Sequence, residues 1–145
     1  MKSFDAIVIG SGPGGYPCAI RLAQHGKKVA IVEREKIGGV CLNVGCIPSK
    51  ALIYASSQYY KVKHEHEEIG IEASGAKVSV EKMQEWKGSV VKQLTQGVAG
   101  LLKMNGVETF LGNASFKDAH TLEIQSKTGK ETIAAKDIVI ATGAR

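Results

Sequence analysis

The sequence predicts an α/β domain built on a parallel sheet, and three observations carry that prediction. An apolar run over residues 4–9 ends at a glycine-rich turn, Gly10-Ser-Gly-Pro-Gly-Gly15; a helix-like stretch follows as far as Gly26; and a second apolar run over 28–33 returns the chain. Together they fill about 30 residues, the size of a β-α-β unit. Both runs are apolar at successive positions instead of alternating, as strands must be when a parallel sheet is covered on both faces.

Gly10-x-Gly12-x-x-Gly15 is a common pattern taken alone. Its setting gives it meaning, with a strand before it, a helix after it, and Glu33 closing the second strand about 20 residues later, so that the unit is Rossmann-like and fit for a dinucleotide. Gly10 permits the tight turn, Gly12 lets the backbone approach a pyrophosphate, and Gly15 lets helix and strand pack closely. The N–H groups at the helix start would face the phosphates, and Glu33 would accept hydrogen bonds from a ribose. Pro13 suits the first helical turn. Pro17 lacks an N–H and crowds the carbonyl four residues back, which predicts a local distortion. Cys18 reads as a small helix-packing residue.

Between Ser79 and Asn105, apolar residues from Val80 through Met83, Trp86, Val90, Leu94 and Val98 to Leu102 recur at three- and four-residue steps, which predicts a long helix ending at Asn105-Gly106. Short β-like runs follow at 107–111, 114–117, 121–125, 131–135 and 137–141, with a turn at 127–130. The simplest arrangement is a small antiparallel β-meander feeding a final buried strand. The chain stops at Thr142-Gly-Ala-Arg145, just after an apolar strand has reached a glycine turn, so residues 1–145 are expected to be part of a longer protein.

Composition narrows the function. A net charge of +5 and a pI near 9.1 raise nucleic-acid binding, but the Lys and Arg residues are dispersed and no basic run is interleaved with aromatics. No apolar stretch reaches membrane-spanning length, and residues before Gly10 do not form a leader's apolar core, so no membrane and a cytoplasmic location are expected. In such a reducing setting, three cysteines without a leader argue against a structural disulfide framework.

Cys41 and Cys46, in Gly39-Val-Cys-Leu-Asn-Val-Gly-Cys-Ile-Pro-Ser-Lys50, are then best read as a redox pair. In an ideal helix, residues five apart lie about 8–9 Å apart at Cα, beyond the disulfide limit of roughly 7 Å. The bridge therefore needs an irregular segment, which Asn43 and Gly45 supply, with the helix resuming from Ile47-Pro48. Near a helix N-terminus a thiolate is stabilised, as thiol exchange requires. Two unrelated buried thiols, or a zinc site using Cys41, Cys46, His64 and His66, are the competing readings. The spacing fits no familiar zinc pattern, and 64–68 reads as a solvated helix end or loop, so no metal is expected.

Gly38-Gly-Val-Cys-Leu-Asn-Val-Gly-Cys-Ile-Pro-Ser-Lys-Ala-Leu52 closely resembles the redox segment of the pyridine nucleotide-disulfide oxidoreductases, and Gly10-Ser-Gly-Pro-Gly-Gly-Tyr16, Glu33 and Ala141-Thr-Gly-Ala-Arg145 resemble that family's other markers in the right order. Cys-Leu-Asn-Val-Gly-Cys-Ile-Pro-Ser-Lys favours the lipoamide-oxidising members over the glutathione and mercuric reductases. The resemblance implies an N-terminal segment of an FAD-binding domain, with the pyrophosphate on Gly10, Gly12, Pro13 and Gly14. Glu33 would hold the adenosine ribose, with Arg34 beside the adenine. Gly39, Val40 and Cys41 would run past the pyrophosphate and ribityl chain, Cys46 would sit against the flavin, and Lys50 near its N5 edge. Gly112 would lie by the adenine, and Thr142, Gly143 and Ala144 would close over the cofactor.

The resemblance also implies a mechanism. A dihydrolipoyl thiolate attacks Cys41, expected as the more exposed sulfur, Cys46 leaves as thiolate, and electrons pass through FAD to NAD+ bound by a domain outside this chain. Implied partners are lipoyl domains of 2-oxoacid dehydrogenase complexes, with a homodimeric parent. The NAD domain and the interface domain with its His-Glu pair are missing from these residues, so the piece by itself is expected not to turn over. A stand-alone flavin-binding or thiol-redox module is the alternative. Two residues depart from the family pattern: Val40 stands where Thr is usual and can donate to an FAD phosphate, and Ala144 stands where Ser is common.

Overall fold

A computed structural model describes residues 1–65, 69–73 and 75–144. Its elements run β1 (Lys2–Ile9), α1 (Tyr16–Gln24), β2 (Val29–Glu33), α2 (Gly39–Asn43), α3 (Cys46–His64), α4 (Val80–Met104), β3 (Glu108–Leu111), β4 (Asn113–Phe116), β5 (Thr121–Ser126) and β6 (Gly129–Ile140). The strands form one sheet in the order β3-β2-β1-β6-β5-β4, parallel from β3 to β6 and antiparallel from β6 to β4. This is the expected Rossmann-like α/β arrangement. Among the described residues, no helix is long and apolar enough to cross a membrane.

The expected meander is corrected in two places. Residues 107–111 do not begin it: after α4 the chain returns on the far side of β2, and β3 pairs with β2 in parallel, Ala30 opposite Glu108 and Glu33 opposite Leu111. A long helix between two strands is the connection that a parallel neighbour needs, so α4 makes β3 a parallel strand. The runs at 131–135 and 137–141 form the single strand β6, because both pair with β1 in one register, from Lys2 opposite Ile133 to Ile9 opposite Ile140, with Lys136 Nζ 2.8 Å from Asp5 Oδ1 at the surface between them.

Gly112 alone joins β3 to β4, although these strands stand at opposite ends of the order. One residue spans only about 3.5 Å, so the sheet curls until its edges meet at this glycine. The Gly112 N–H donates to the Glu33 carbonyl of β2 at 2.8 Å, and a Cβ there would lie 2.6 Å from the Gln125 carbonyl oxygen of β5. Inside the curl, Phe4, Ile7, Val32, Phe110, Leu122, Ile124 and Ile133 form one core, with the Phe4 and Phe110 rings edge to face at 6.0 Å. On the outer face, α1, α2 and the end of α4 cover Val8, Val29 and Ile31 with Ala19, Leu42, Val98 and Leu102. Both faces of β1 and β2 are thus covered, as their unbroken apolar runs require.

The long helix forms as its periodicity predicts. The Ser79 Oγ accepts from the Lys82 N–H at 3.4 Å as the N-cap, and Asn105 and Gly106, the latter at φ +71°, end it. Pro13 is placed differently from the expectation: it lies in the turn before α1, and it is Pro17 that occupies the first turn of the helix. There the missing N–H would have had no intrahelical partner, so the expected distortion does not arise.

Candidate functional site

Three segments remote in sequence meet at the carboxyl ends of β1, β2 and β6: the glycine turn 10–15, the cysteine segment 38–46 and the strand exit 141–144. This is where open α/β sheets bind ligands. Close backbone approach makes the meeting possible. A Cβ on Gly10, whose φ is +99°, would fall 2.3 Å from the Ala141 carbonyl oxygen, and one on Gly39 would fall 2.8 Å from the Gly12 Cα. Gly15 serves the turn itself, since its Cβ would strike the Gly10 carbonyl oxygen at 1.9 Å. Gly10, expected for the tight turn, is thus also a point of close approach to the exit of β6, and Gly15, expected to let helix and strand pack, is required by the turn itself.

Gly12 differs. A Cβ there would meet no protein atom within 4 Å, so no neighbour in the fold demands a glycine. Its bare backbone leaves an open face next to the start of α1, where a phosphate can approach the chain closely. Pro13 and Gly14 beside it are exposed. This cradle fits the pyrophosphate of FAD.

Glu33 ends β2 as expected but is no solvated charge, being only 9% exposed. Its Oε2 accepts from the Ser11 N–H at 2.9 Å and from the Ser11 Oγ at 2.6 Å, and its Oε1 accepts from the Glu35 N–H at 2.9 Å. Burial works to raise the Glu33 pKa, but the hydrogen bonds from Glu35 and Ser11 outweigh it and hold the carboxyl below its ordinary range. The expectation of Glu33 as a free ribose acceptor is thereby sharpened, because protein donors already occupy much of the carboxylate. Ser11, fully buried, was missed in the sequence; its one signal was a hydroxyl inside a turn otherwise made of Gly and Pro.

The cysteines lie on either side of a helix break. Cys41 belongs to α2 and Cys46 opens α3, with Val44 and Gly45 between the two helices. Asn43 does not contribute an unusual backbone angle. It stays helical, and its Nδ2 donates to the Ile37 and Gly39 carbonyls at 3.0 and 2.9 Å, tying α2 to the preceding loop. Pro48 falls in the first turn of α3, where its missing N–H has no intrahelical acceptor. Both cysteines are free thiols within hydrogen-bonding reach of each other. The hydrogen bond with Cys46, and then burial, push the Cys41 thiol above its ordinary range, while the nearby Lys50 charge acts the other way.

As whole residues the two cysteines differ in exposure. Cys41 is half-buried because α2 packs it against the outer-face core beside Leu42, whereas Cys46 is exposed at the head of α3. Cys18 is half-buried in α1 against the same core, a packing residue as read.

The remaining predicted residues surround this centre. Val40 and Lys50 are exposed near the cysteines; Arg34 is exposed with its Nε 3.4 Å from Glu35 Oε1; Thr142, Gly143 and Ala144 are exposed where β6 ends. Gly112, at the seam of the curled sheet, touches Glu33 through its N–H. His66 and Arg145 lie outside the described residues, and among those residues no group of three His, Cys, Asp or Glu is placed to hold a metal ion.

Comparison with known proteins agrees with this geometry. The pattern of the family described as pyridine nucleotide-disulphide oxidoreductase matches residues 4–145. Dihydrolipoyl dehydrogenase of Geobacillus stearothermophilus is 55% identical over 141 residues, 97% of this chain and 30% of that protein. The mitochondrial dihydrolipoyl dehydrogenase of Schizosaccharomyces pombe is 49% identical over 143 residues, 97% of this chain and 28% of that protein. Among solved structures, a Cu(II) complex of the HOCl-induced flavoprotein disulfide reductase RclA from Escherichia coli superimposes with a TM-score of 0.82 at 28% identity, covering 100% of this chain and 30% of that one. The chain thus spans under a third of the length of each of these relatives.

Proposed function

The chain belongs to the pyridine nucleotide-disulphide oxidoreductase family, and from that premise we propose that it supplies the FAD cradle and redox dithiol of an enzyme that oxidises dihydrolipoamide. The convergence of the glycine turn, the cysteine segment and the exit of β6 at one sheet edge carries the reading. FAD is the cofactor of this family, and when bound it would take two electrons from the dithiol and pass them on toward NAD+. Gly10, Gly12, Pro13 and Gly14 would line the pyrophosphate. Glu33, with Arg34 and Gly112, would bound the adenosine end. Gly39, Val40, Cys41, Cys46 and Lys50 would line the flavin side, and Thr142, Gly143 and Ala144 the exit of β6.

In the disulfide form, a dihydrolipoyl thiolate attacks Cys41 Sγ. One S–S bond forms, the Cys41–Cys46 bond breaks, and Cys46 departs as thiolate. One feature favours this direction. Cys46 is the first residue of α3, where unpaired N–H groups and the helix dipole favour negative charge on its sulfur.

NAD+ as final acceptor, lipoyl domains of 2-oxoacid dehydrogenase complexes as partners, and a homodimeric parent belong to the same proposal, as does absence of turnover by residues 1–145 alone. A visible spectrum of the purified protein supplemented with FAD tests the reading. Flavin bands that gain a long-wavelength charge-transfer shoulder on two-electron reduction are expected, and the shoulder should vanish in Cys46→Ser but not in Cys18→Ser. Bound flavin with no shoulder in any form would remove Cys46 from the flavin face.

A further inference from the structure

Thiol exchange at Cys41 and Cys46 depends on how α2 is held against the phosphate turn. One buried hydroxyl lies at that joint. The Ser11 Oγ donates to Glu33 Oε2 at 2.6 Å and accepts from the Gly38 N–H at 3.2 Å, while the Ser11 carbonyl accepts from the same N–H at 3.1 Å. Gly38 is the N-cap of α2, and Cys41 follows three residues later. Donation to a carboxylate fixes the hydroxyl hydrogen, which aims a lone pair at Gly38, so the serine is a directed strut between the end of β2 and the head of the cysteine helix.

We propose that Ser11 is a positioning residue for the redox pair, holding α2 so that Cys41 lies where it can close a disulfide with Cys46. The assignment rests on the reading of Cys41 and Cys46 as a redox pair. Closure demands Cα atoms within about 7 Å and a narrow range of side-chain directions. A helix of five residues has little stability of its own, so its placement depends on such anchors. Without the hydroxyl, Gly38 keeps the Ser11 carbonyl as acceptor and the turn keeps its glycines. The fold therefore persists while α2 is held less firmly, and closure of the disulfide becomes less favourable.

The test is the equilibrium of the chain's dithiol with oxidised glutathione, in which each disulfide formed releases two molecules of reduced glutathione. Loss of one hydrogen bond predicts that Ser11→Ala lowers the equilibrium constant by about threefold to tenfold. Ser79→Ala, which removes the remote N-cap of α4, should leave it unchanged. An S11A constant equal to that of the unaltered protein, or an equal fall in S79A, overturns the assignment. A second measurement needs no variant. Because coupling between two equilibria is reciprocal, the Gly38 amide of the unaltered protein should exchange with solvent more slowly in the disulfide form than in the dithiol form by a similar factor, and equal rates overturn the assignment. If the unaltered protein forms no Cys41–Cys46 disulfide at all, the redox reading itself fails, an outcome distinct from either of these.

Discussion

The carboxyl edge of the sheet and the outer half of α4 with α3 are both rich in sequence signal, yet they are built on different terms. At the edge, backbone meets backbone, glycines stand where a Cβ would collide, and buried polar groups such as Ser11 and Glu33 bond to each other. Along the helices, the apolar stripe finds few partners: Trp86 is 41% exposed and touches the Tyr54 ring at 6.0 Å, and Leu94 and Leu101 are similarly open. Only Val98 and Leu102 of α4 are buried. Gly10, Gly15 and Gly39 therefore mark close approach at the edge, whereas Gly97 and Gly100 in α4 bring only helix cost.

The sharpest way to break this contrast is to make the same substitution in both regions. Gly15→Ala places a methyl group 1.9 Å from the Gly10 carbonyl oxygen, and rigid backbone cannot yield as a side chain would. A loss of about 3 kcal/mol or more is expected in urea unfolding, or no folded protein at all. Full stability in G15A would show that the turn relaxes and that its glycine is there for another reason.

Glu33→Gln comes next in size. The amide keeps the shape, but it loses the charge that two Ser11 donors and the Glu35 N–H now meet, which predicts a loss of roughly 2 kcal/mol at neutral pH. The pH dependence has a definite sign. Because the folded state holds this carboxyl below its ordinary value of 4.5, its contribution is present above pH 4.5 and is lost as pH falls through the lower folded value. The stability gap between the two proteins should close in that acidic window, and a gap independent of pH would mean that the charge contributes nothing.

Gly100→Ala is the opposite arm of the comparison. Gly100 lies inside α4, and a Cβ there meets nothing within 4 Å. Helix propensity alone then predicts a gain of about 1 kcal/mol. Destabilisation by G100A would reveal a neighbour pressed against that face.

The same contrast explains what was legible in the sequence. The β-α-β unit, the long helix with its Ser79 and Asn105 ends and the helix break beside Gly45 were all readable, because each follows from residues close together along the chain. The place of β3 was not. Residues 107–111 look like any short strand, and only the return path of α4 decides that they pair with β2. The joining of two apolar runs into β6 depended on their common register with β1, 131 residues away. At the site, Glu33 was found by its distance from the glycine turn, but its partner Ser11 was not, since a hydroxyl between glycines carries no period or motif. Which cysteine α2 half-buries was not legible for a related reason: it depends on the core beneath the helix, here through Leu42, and spacing does not encode that.

The smallest effect concerns a residue at the site that the fold does not constrain. Val40 is 57% exposed and follows Gly39, whose backbone packs on Gly12 within the proposed pyrophosphate cradle. Threonine has nearly the same shape as valine, so Val40→Thr should leave the urea midpoint unchanged to within about 0.5 kcal/mol. If FAD lies in the cradle, the added hydroxyl gains one hydrogen bond to phosphate, worth about 1 kcal/mol, and the Kd for FAD should fall about fivefold. Flavin fluorescence quenching during titration of each protein reads this directly. Equal affinity would place the phosphates out of reach of position 40 and move the cofactor along the edge, whereas tighter binding with an unaltered fold would locate the pyrophosphate between Gly12 and Val40.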